Sequence, residues 1–129
     1  MEERFGCDAC WPASADAAWA AGKALARERY LVDDSHYIVR LERCERCGQR
    51  FLSVFTEVIS WTTGEDPQHW IVLPVTSSEA AELERLGSAV TEAAIRAIGP
   101  DRRSLRRDWP EGEEPSASWG VGIWVGFHD

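Results

Sequence analysis

The chain has 129 residues, 44% of them hydrophobic and 28% charged, which is typical of one globular domain spanning residues 1–129. Its formal charge of −8 disfavours a general nucleic-acid binder or a protein of anionic membrane surfaces. No apolar run reaches the roughly 18 residues of a membrane helix, and the N-terminus lacks a signal-peptide pattern. We therefore expect a cytoplasmic protein. Lys23 is the only lysine beside many arginines, which indicates a GC-rich, bacterial genome.

The first half of the chain predicts one helix and three strands. A helix is expected over residues 14–29, with Ser14 as its cap, and residues 31–35 are expected to form a connection. Alternating apolar residues predict a strand over 36–43, and β-branched and aromatic residues predict another over 49–61. A turn at 62–68 leads to a third strand over 69–76, where Pro74 suggests an edge or a bulge.

The second half predicts a helix and one more strand. Thr76 followed three residues later by Glu79 is a capping-box pattern, and apolar residues then recur on one helical face until Gly99 and Pro100. Residues 101–118 are polar, and residues 119–127 are expected to form a last strand. The sum is an α+β domain: an antiparallel sheet of about four strands with two helices packed on it.

All four cysteines lie in two CxxC pairs, Cys7/Cys10 and Cys44/Cys47. A two-residue spacer lets one tight turn direct two sulfurs at the same metal, and two such pairs supply the four thiolates of a tetrahedral zinc site. Gly48 follows the second pair and permits the positive φ that such a turn needs. An iron site with four sulfurs, a redox disulfide and four independent thiols are the alternatives.

The motifs Cys7-Asp8-Ala9-Cys10 and Cys44-Glu45-Arg46-Cys47-Gly48 resemble those of zinc-ribbon and zinc-knuckle domains. The resemblance covers these two short motifs. It implies one structural zinc with four cysteine ligands. The strands predicted on either side of the second motif place that motif at the tip of a hairpin, so the zinc would join this tip to the N-terminal segment. The 33 residues between the two motifs and the acidic charge depart from the nucleic-acid-binding members. We therefore expect a module that acts through a protein partner, with nucleic-acid binding, thiol redox chemistry and iron electron transfer as alternatives.

Arginines form two clusters in the sequence. Those at 40, 43, 46 and 50 surround the second motif, where they are expected to offset thiolate charge or to contact a partner. A second cluster next to a tryptophan is interpreted as a solvated loop and as a second candidate partner-binding segment. The candidate partner-binding residues are Arg46, Arg50, Arg102, Arg103, Arg106, Arg107 and Trp109.

No catalytic motif is recognised, so no catalytic residue is assigned. Walker loops, dinucleotide-binding glycine patterns and nucleophile elbows are absent from the sequence. Seven tryptophans are interpreted mainly as core residues, and Trp119, Trp124 and Phe127 form a patch of interest. His36, His69 and Asp66 remain open as a second site, because strand pairing is able to bring distant residues together.

Overall fold

The computed structural model describes residues 5–62, 64, 66–110, 112–125 and 128. Its centre is a six-stranded antiparallel sheet in which every strand pairs with its neighbours in the chain, in the order β1-β2-β3-β4-β5-β6. The strands are β1 Ala26–Asp34, β2 Tyr37–Arg43, β3 Arg50–Glu57, β4 Gln68–Val75, β5 Arg103–Trp109 and β6 Ser116–Val121. The α+β class and the antiparallel sheet are confirmed, but the sheet has six strands where four were predicted.

Strand β1 occupies residues that were predicted as helix and connection. The first helix, α1, spans Ala15–Ala21, a 3-10 turn follows at Gly22–Ala24, and Leu25 is extended. The register of β1 against β2 shifts between Arg27 and Arg29 and again between Tyr30 and Val32. Such bulges break the two-residue alternation of a regular strand, so the pattern in the sequence did not reveal it.

Strand β5 runs through the basic cluster that was interpreted as a solvated loop, and that interpretation was wrong. Ser104 and Leu105 are buried, and Arg106 and Arg107 are partly buried. Long arginine stems cover apolar surface while their charged ends stay near water, so a strand of this composition looks polar in sequence.

The second predicted helix is divided into two. Helix α2 spans Ser77–Leu86 and begins with the predicted capping box, whereas α3 spans only Glu92–Arg96. Gly87 ends α2 with a φ of +53°, which glycine adopts without the steric cost that other residues incur. A 3-10 turn follows, and the hydroxyl of Thr91 accepts a hydrogen bond from the Ala94 amide to cap α3. The bend directs Val90 and Ile95 into the core.

The two faces of the sheet carry separate hydrophobic clusters. The helical face, covered by α2 and α3, contains Leu31, Val39, Leu41, Leu52, Val54, Ile71, Leu73, Val75, Ala80, Leu83, Val90, Ile95, Ile123 and Val125. The N-terminal face is covered by residues 5–14 and α1, and its cluster is centred on Phe51, Val72 and Leu105. The clusters share no buried residue, so the N-terminal segment packs on a sheet whose other face is covered independently.

The end of β4 contains Pro74 and is joined to the start of α2 by hydrogen bonds from Arg102. β4 is an interior strand, but its pairing with β5 ends at Val72, so Pro74 pairs with β3 alone and lies at a local edge of the sheet. Arg102 donates to the Pro74 carbonyl at 2.9 Å and to Glu79 Oε1 at 2.7 Å. Burial acts to raise the pKa of Glu79, but hydrogen bonds from Arg102 and Thr76 outweigh it and hold that pKa below its usual value.

Candidate metal centre

Two tight turns present the four cysteines. In the first, before α1, the Trp11 amide donates to the Cys7 carbonyl at 2.8 Å. The second is the tip of the β2–β3 hairpin, where the Gly48 amide donates to the Cys44 carbonyl at 2.8 Å and Gly48 has a φ of +79°. The expected hairpin tip and the expected positive φ are both confirmed.

The four sulfur atoms form a compact cluster within 4.8 Å of one another. The Sγ atoms of Cys7 and Cys10 are 3.7 Å apart, those of Cys7 and Cys44 3.9 Å, and those of Cys10 and Cys47 3.8 Å. A tetrahedral ion with metal–sulfur bonds of about 2.3 Å separates its sulfurs by about 3.8 Å. All four thiols are free, so the cluster has the spacing and the chemistry of a metal site.

The cysteines differ in how readily their thiols ionise, even within the first pair. The backbone amide of Cys10 lowers the pKa of Cys7 to about 7, whereas burial raises the pKa of Cys10 well above its ordinary value. Burial also raises the pKa of Cys47. A thiol ligates a metal as the thiolate, so a bound cation would compensate the charge that burial disfavours at Cys10.

Gln49 links the two turns, and its role was not found in the sequence. Its side-chain oxygen accepts a hydrogen bond from the Gly6 amide at 2.9 Å, and its amide nitrogen donates to the Val75 carbonyl at 2.9 Å. This side chain therefore fixes the first turn to the hairpin through hydrogen bonds outside the sulfur cluster. Its position directly after the motif Cys47-Gly48 was the only signal available.

The arginines near the second motif are mostly paired with carboxylates. Arg40 Nε lies 3.4 Å from Glu42 Oε2, Arg43 Nε lies 3.4 Å from Glu28, and Arg50 pairs with both Glu28 and Glu84. Arg46 is exposed on the hairpin tip between the two cysteines. The structure thus gives these arginines other acceptors than the thiolates they were expected to offset.

The second candidate partner-binding cluster also makes internal contacts. The guanidinium of Arg103 lies 4.0 Å from the ring centre of Trp119, and that of Arg107 lies 5.0 Å from Trp19. Arg102 is held by Glu79, and Arg106 is partly buried. Trp109, at the end of β5, is 47% exposed.

The histidines and Asp66 have separate partners. His36 Nδ1 lies 3.0 Å from Glu57, His69 pairs with Asp108, and Asp66 accepts a hydrogen bond from the Ser60 amide at 2.8 Å. Within the described part of the chain, the four cysteines are the only group of three or more potential ligands close enough to hold a metal.

The tryptophans divide between packed and exposed positions. Trp11 contacts Phe51 and Trp119, with ring centres 5.4 Å and 5.0 Å apart, and Trp19 contacts Trp70 at 5.4 Å. Trp61, Trp109 and Trp124 are exposed, and Phe127 lies outside the described residues. The tryptophans that pack therefore do so mainly on the N-terminal face, beside the sulfur cluster.

No protein-family model, curated protein or solved structure matches this chain. None of the described helices has the length and apolar character needed to cross a membrane. The fold and the site define the described residues as an α+β protein with a four-cysteine centre suited to a metal ion.

Proposed function

We propose that the four cysteines bind one Zn²⁺ whose role is structural. The single observation that carries the proposal is the set of sulfur separations, 3.7, 3.9 and 3.8 Å, which match a tetrahedral site with four sulfur ligands. Four protein ligands fill that coordination shell, whereas catalytic zinc sites keep one position for water or substrate. Bound zinc would supply a strong crosslink between two distant turns.

The crosslink would hold the N-terminal segment on its face of the sheet. Cys7 and Cys10 precede α1, and Cys44 and Cys47 lie in the turn between β2 and β3, so a shared ion would join the N-terminal segment to the sheet. Trp11 packs on the sheet, and the ring nitrogen of Trp119 donates to the Ala13 carbonyl at 2.9 Å. The metal would thereby set the position of every residue between the first turn and α1.

We further propose that the zinc-bound chain acts as a protein-interaction module. Trp61, in the β3–β4 loop, is 89% exposed, and Trp109 lies at the same end of the sheet. Trp109 lines a groove whose acidic lining comprises Glu57, Asp66, Glu113 and Glu114. Exposed tryptophans are enriched in protein interfaces, and the acidic lining favours a partner with basic residues around an apolar anchor.

Metal analysis of protein purified without chelator or added metal tests the zinc site. We expect about one zinc per chain and thiols that react with a thiol reagent only after denaturation. About one iron per chain in a coloured protein would favour an electron-transfer function over a structural zinc. An absent metal with oxidised cysteines would contradict the proposal and favour redox chemistry.

Affinity capture with matched variants tests the interaction surface. Trp61→Ala should lose a specifically bound protein that the wild type and Val121→Ala retain, because Val121 is 58% exposed but lies at the other end of β6. Equal capture of the bound protein by the wild type and both variants would contradict the proposal that Trp61 belongs to an interaction surface. Salt-dependent binding of an oligonucleotide that weakens in Arg46→Gln would instead favour the nucleic-acid function.

A further inference from the structure

A cleft of about 240 Å³ lies between α1 and the N-terminal face of the sheet; we name it the α1 cleft. Trp11, Trp19, Phe51 and Trp70 supply its aromatic lining. Its polar lining comprises Arg40, Glu42 and Ser53 from β2 and β3, together with Lys23 and Arg27. None of these residues other than Trp11 has been given a role in the proposed metal site.

The size and walls of the α1 cleft suit a small planar molecule. The aromatic lining consists of two contacting pairs: the ring centres of Trp19 and Trp70 are 5.4 Å apart, and so are those of Trp11 and Phe51. A cavity of about 150 Å³ is sufficient for benzene. The α1 cleft therefore has room for an aromatic ring with a short substituent.

The polar groups of the cleft include a buried donor that pairs with a carboxylate but makes no hydrogen bond within the described part of the chain. Glu42 is 5% exposed and Ser53 is 4% exposed, so both are buried. Arg40 Nε is also buried and forms an ion pair with Glu42 at 3.4 Å, but it has no hydrogen-bond partner among the described residues. A buried donor gains when an oxygen atom of a ligand approaches it.

The charges of the lining favour an anion. Glu42 compensates Arg40, and no other acidic residue in the described part of the lining balances Lys23 and Arg27, both of which are exposed. This excess of positive charge stands out in a chain of net charge −8. Positively charged groups beside a cleft attract and orient negatively charged ligands.

We propose that the α1 cleft binds a small aromatic carboxylate. The ring would lie against Trp19 and Trp70, and the carboxylate would face the cationic groups of the lining. Cys10 and Trp11 also line the cleft, so its wall is continuous with the metal centre. The inference goes beyond the structural role of the metal and does not depend on which metal is bound.

Titration of the metal-containing protein with benzoate and 2-naphthoate tests the proposal, with tryptophan fluorescence and calorimetry as readouts. We expect saturable binding with a dissociation constant near or below about 1 mM. Benzamide and benzylamine, which match the ring of benzoate without its negative charge, should bind about tenfold more weakly or not at all. Equal binding of benzoate and benzamide, or no saturable binding of either carboxylate, would overturn the proposal.

A variant that fills the cleft separates binding in the cleft from binding elsewhere. Gly22 lines the cleft and has helical backbone angles, and a Cβ there would meet no atom within 4 Å apart from its own helix backbone and adjoining residues. Gly22→Leu should abolish carboxylate binding, whereas Ala20→Leu, on the exposed part of α1, should leave it unchanged. Undiminished binding by Gly22→Leu with normal metal content would also overturn the proposal.

Two charge variants test the choice of an anion. Lys23→Gln and Arg27→Gln replace exposed side chains, so folding should be preserved. Each should weaken 2-naphthoate several-fold without affecting benzamide. Metal content, measured on the same samples, distinguishes failure of the cleft proposal from failure of the metal site. A metal-loaded protein that does not bind the aromatic carboxylates would reject the cleft proposal alone.

Discussion

Removing one sulfur ligand should release the N-terminal segment from the sheet. Cys47 is the suitable position, because it is exposed and its replacement by serine removes little packing. The helical-face core contains no residue of the N-terminal segment, so we expect Cys47→Ser to keep the sheet while residues 5–24 lose their fixed position. Loss of metal should accompany this change, since serine is a poor zinc ligand.

The size of the effect follows from the two tryptophans that the segment carries. Full burial of a tryptophan removes about 150–250 Å² from water, which at about 25 cal/mol per Å² contributes about 4–6 kcal/mol. Trp11 and Trp19 are each partly buried, so about half of that value applies to each. Their combined loss of about 4–6 kcal/mol should lower the melting temperature by roughly 10–30 °C.

The assay combines metal analysis, thermal unfolding and tryptophan emission. Emission should shift to longer wavelength as Trp11 and Trp19 become solvated, while the far-ultraviolet signal of the sheet persists. Cys47→His is the matched control, because histidine also ligates zinc and should restore both metal and stability. Unchanged metal content and melting temperature in Cys47→Ser would refute the role assigned to the sulfur cluster.

Three further predictions concern stability and pH. Phe51→Ala should cost about 3–5 kcal/mol in denaturant unfolding, because Phe51 is fully buried on the N-terminal face. Thr91→Ala should cost about 1 kcal/mol through loss of the α3 cap. The Glu79 pKa is lowered on folding, so its stabilisation is complete above its unfolded value of about 4.5 and is lost as pH falls through the folded pKa. The stability difference between wild type and Glu79→Gln should therefore be constant near neutral pH and narrow in acid.

Each of these predictions has a clear contrary result. A Phe51→Ala protein as stable as wild type would show that the N-terminal face contributes little to folding. A Thr91→Ala protein with unchanged stability would show that the Thr91 cap does not stabilise α3. A stability difference between wild type and Glu79→Gln that widens in acid would contradict a lowered Glu79 pKa. Both proteins are compared at each pH, so any metal lost in acid affects both measurements equally.

The features predicted correctly from sequence depend on local chemistry. The CxxC spacing predicted the paired turns, and Thr76 with Glu79 predicted the capping box, because both patterns act within a few residues. Strand β2 was recognised from its alternation and β3 from its β-branched and aromatic residues, although β3 ends at Glu57 rather than at residue 61.

The errors arose where tertiary structure overrides local pattern. Bulges in β1 removed its alternation, and arginine stems made β5 look like a solvent-exposed loop. Gly87 interrupts an otherwise continuous helical pattern, and its positive φ is not visible in sequence. The α1 cleft could not be anticipated either, because its lining comes from α1 and the turn after it, from strands β1 to β5 and from the first cysteine turn.

The order of the sheet has a consequence for how the chain folds. Every strand pairs with its neighbours in sequence, and among the described residues only the β4–β5 connection contains helices, so most strand pairing closes short loops. Short loops close rapidly and at low entropic cost. The first cysteine turn, by contrast, must find a hairpin tip more than thirty residues away. Refolding should therefore proceed in two stages, a metal-independent formation of the sheet followed by a slower capture of the N-terminal segment whose rate rises with metal concentration.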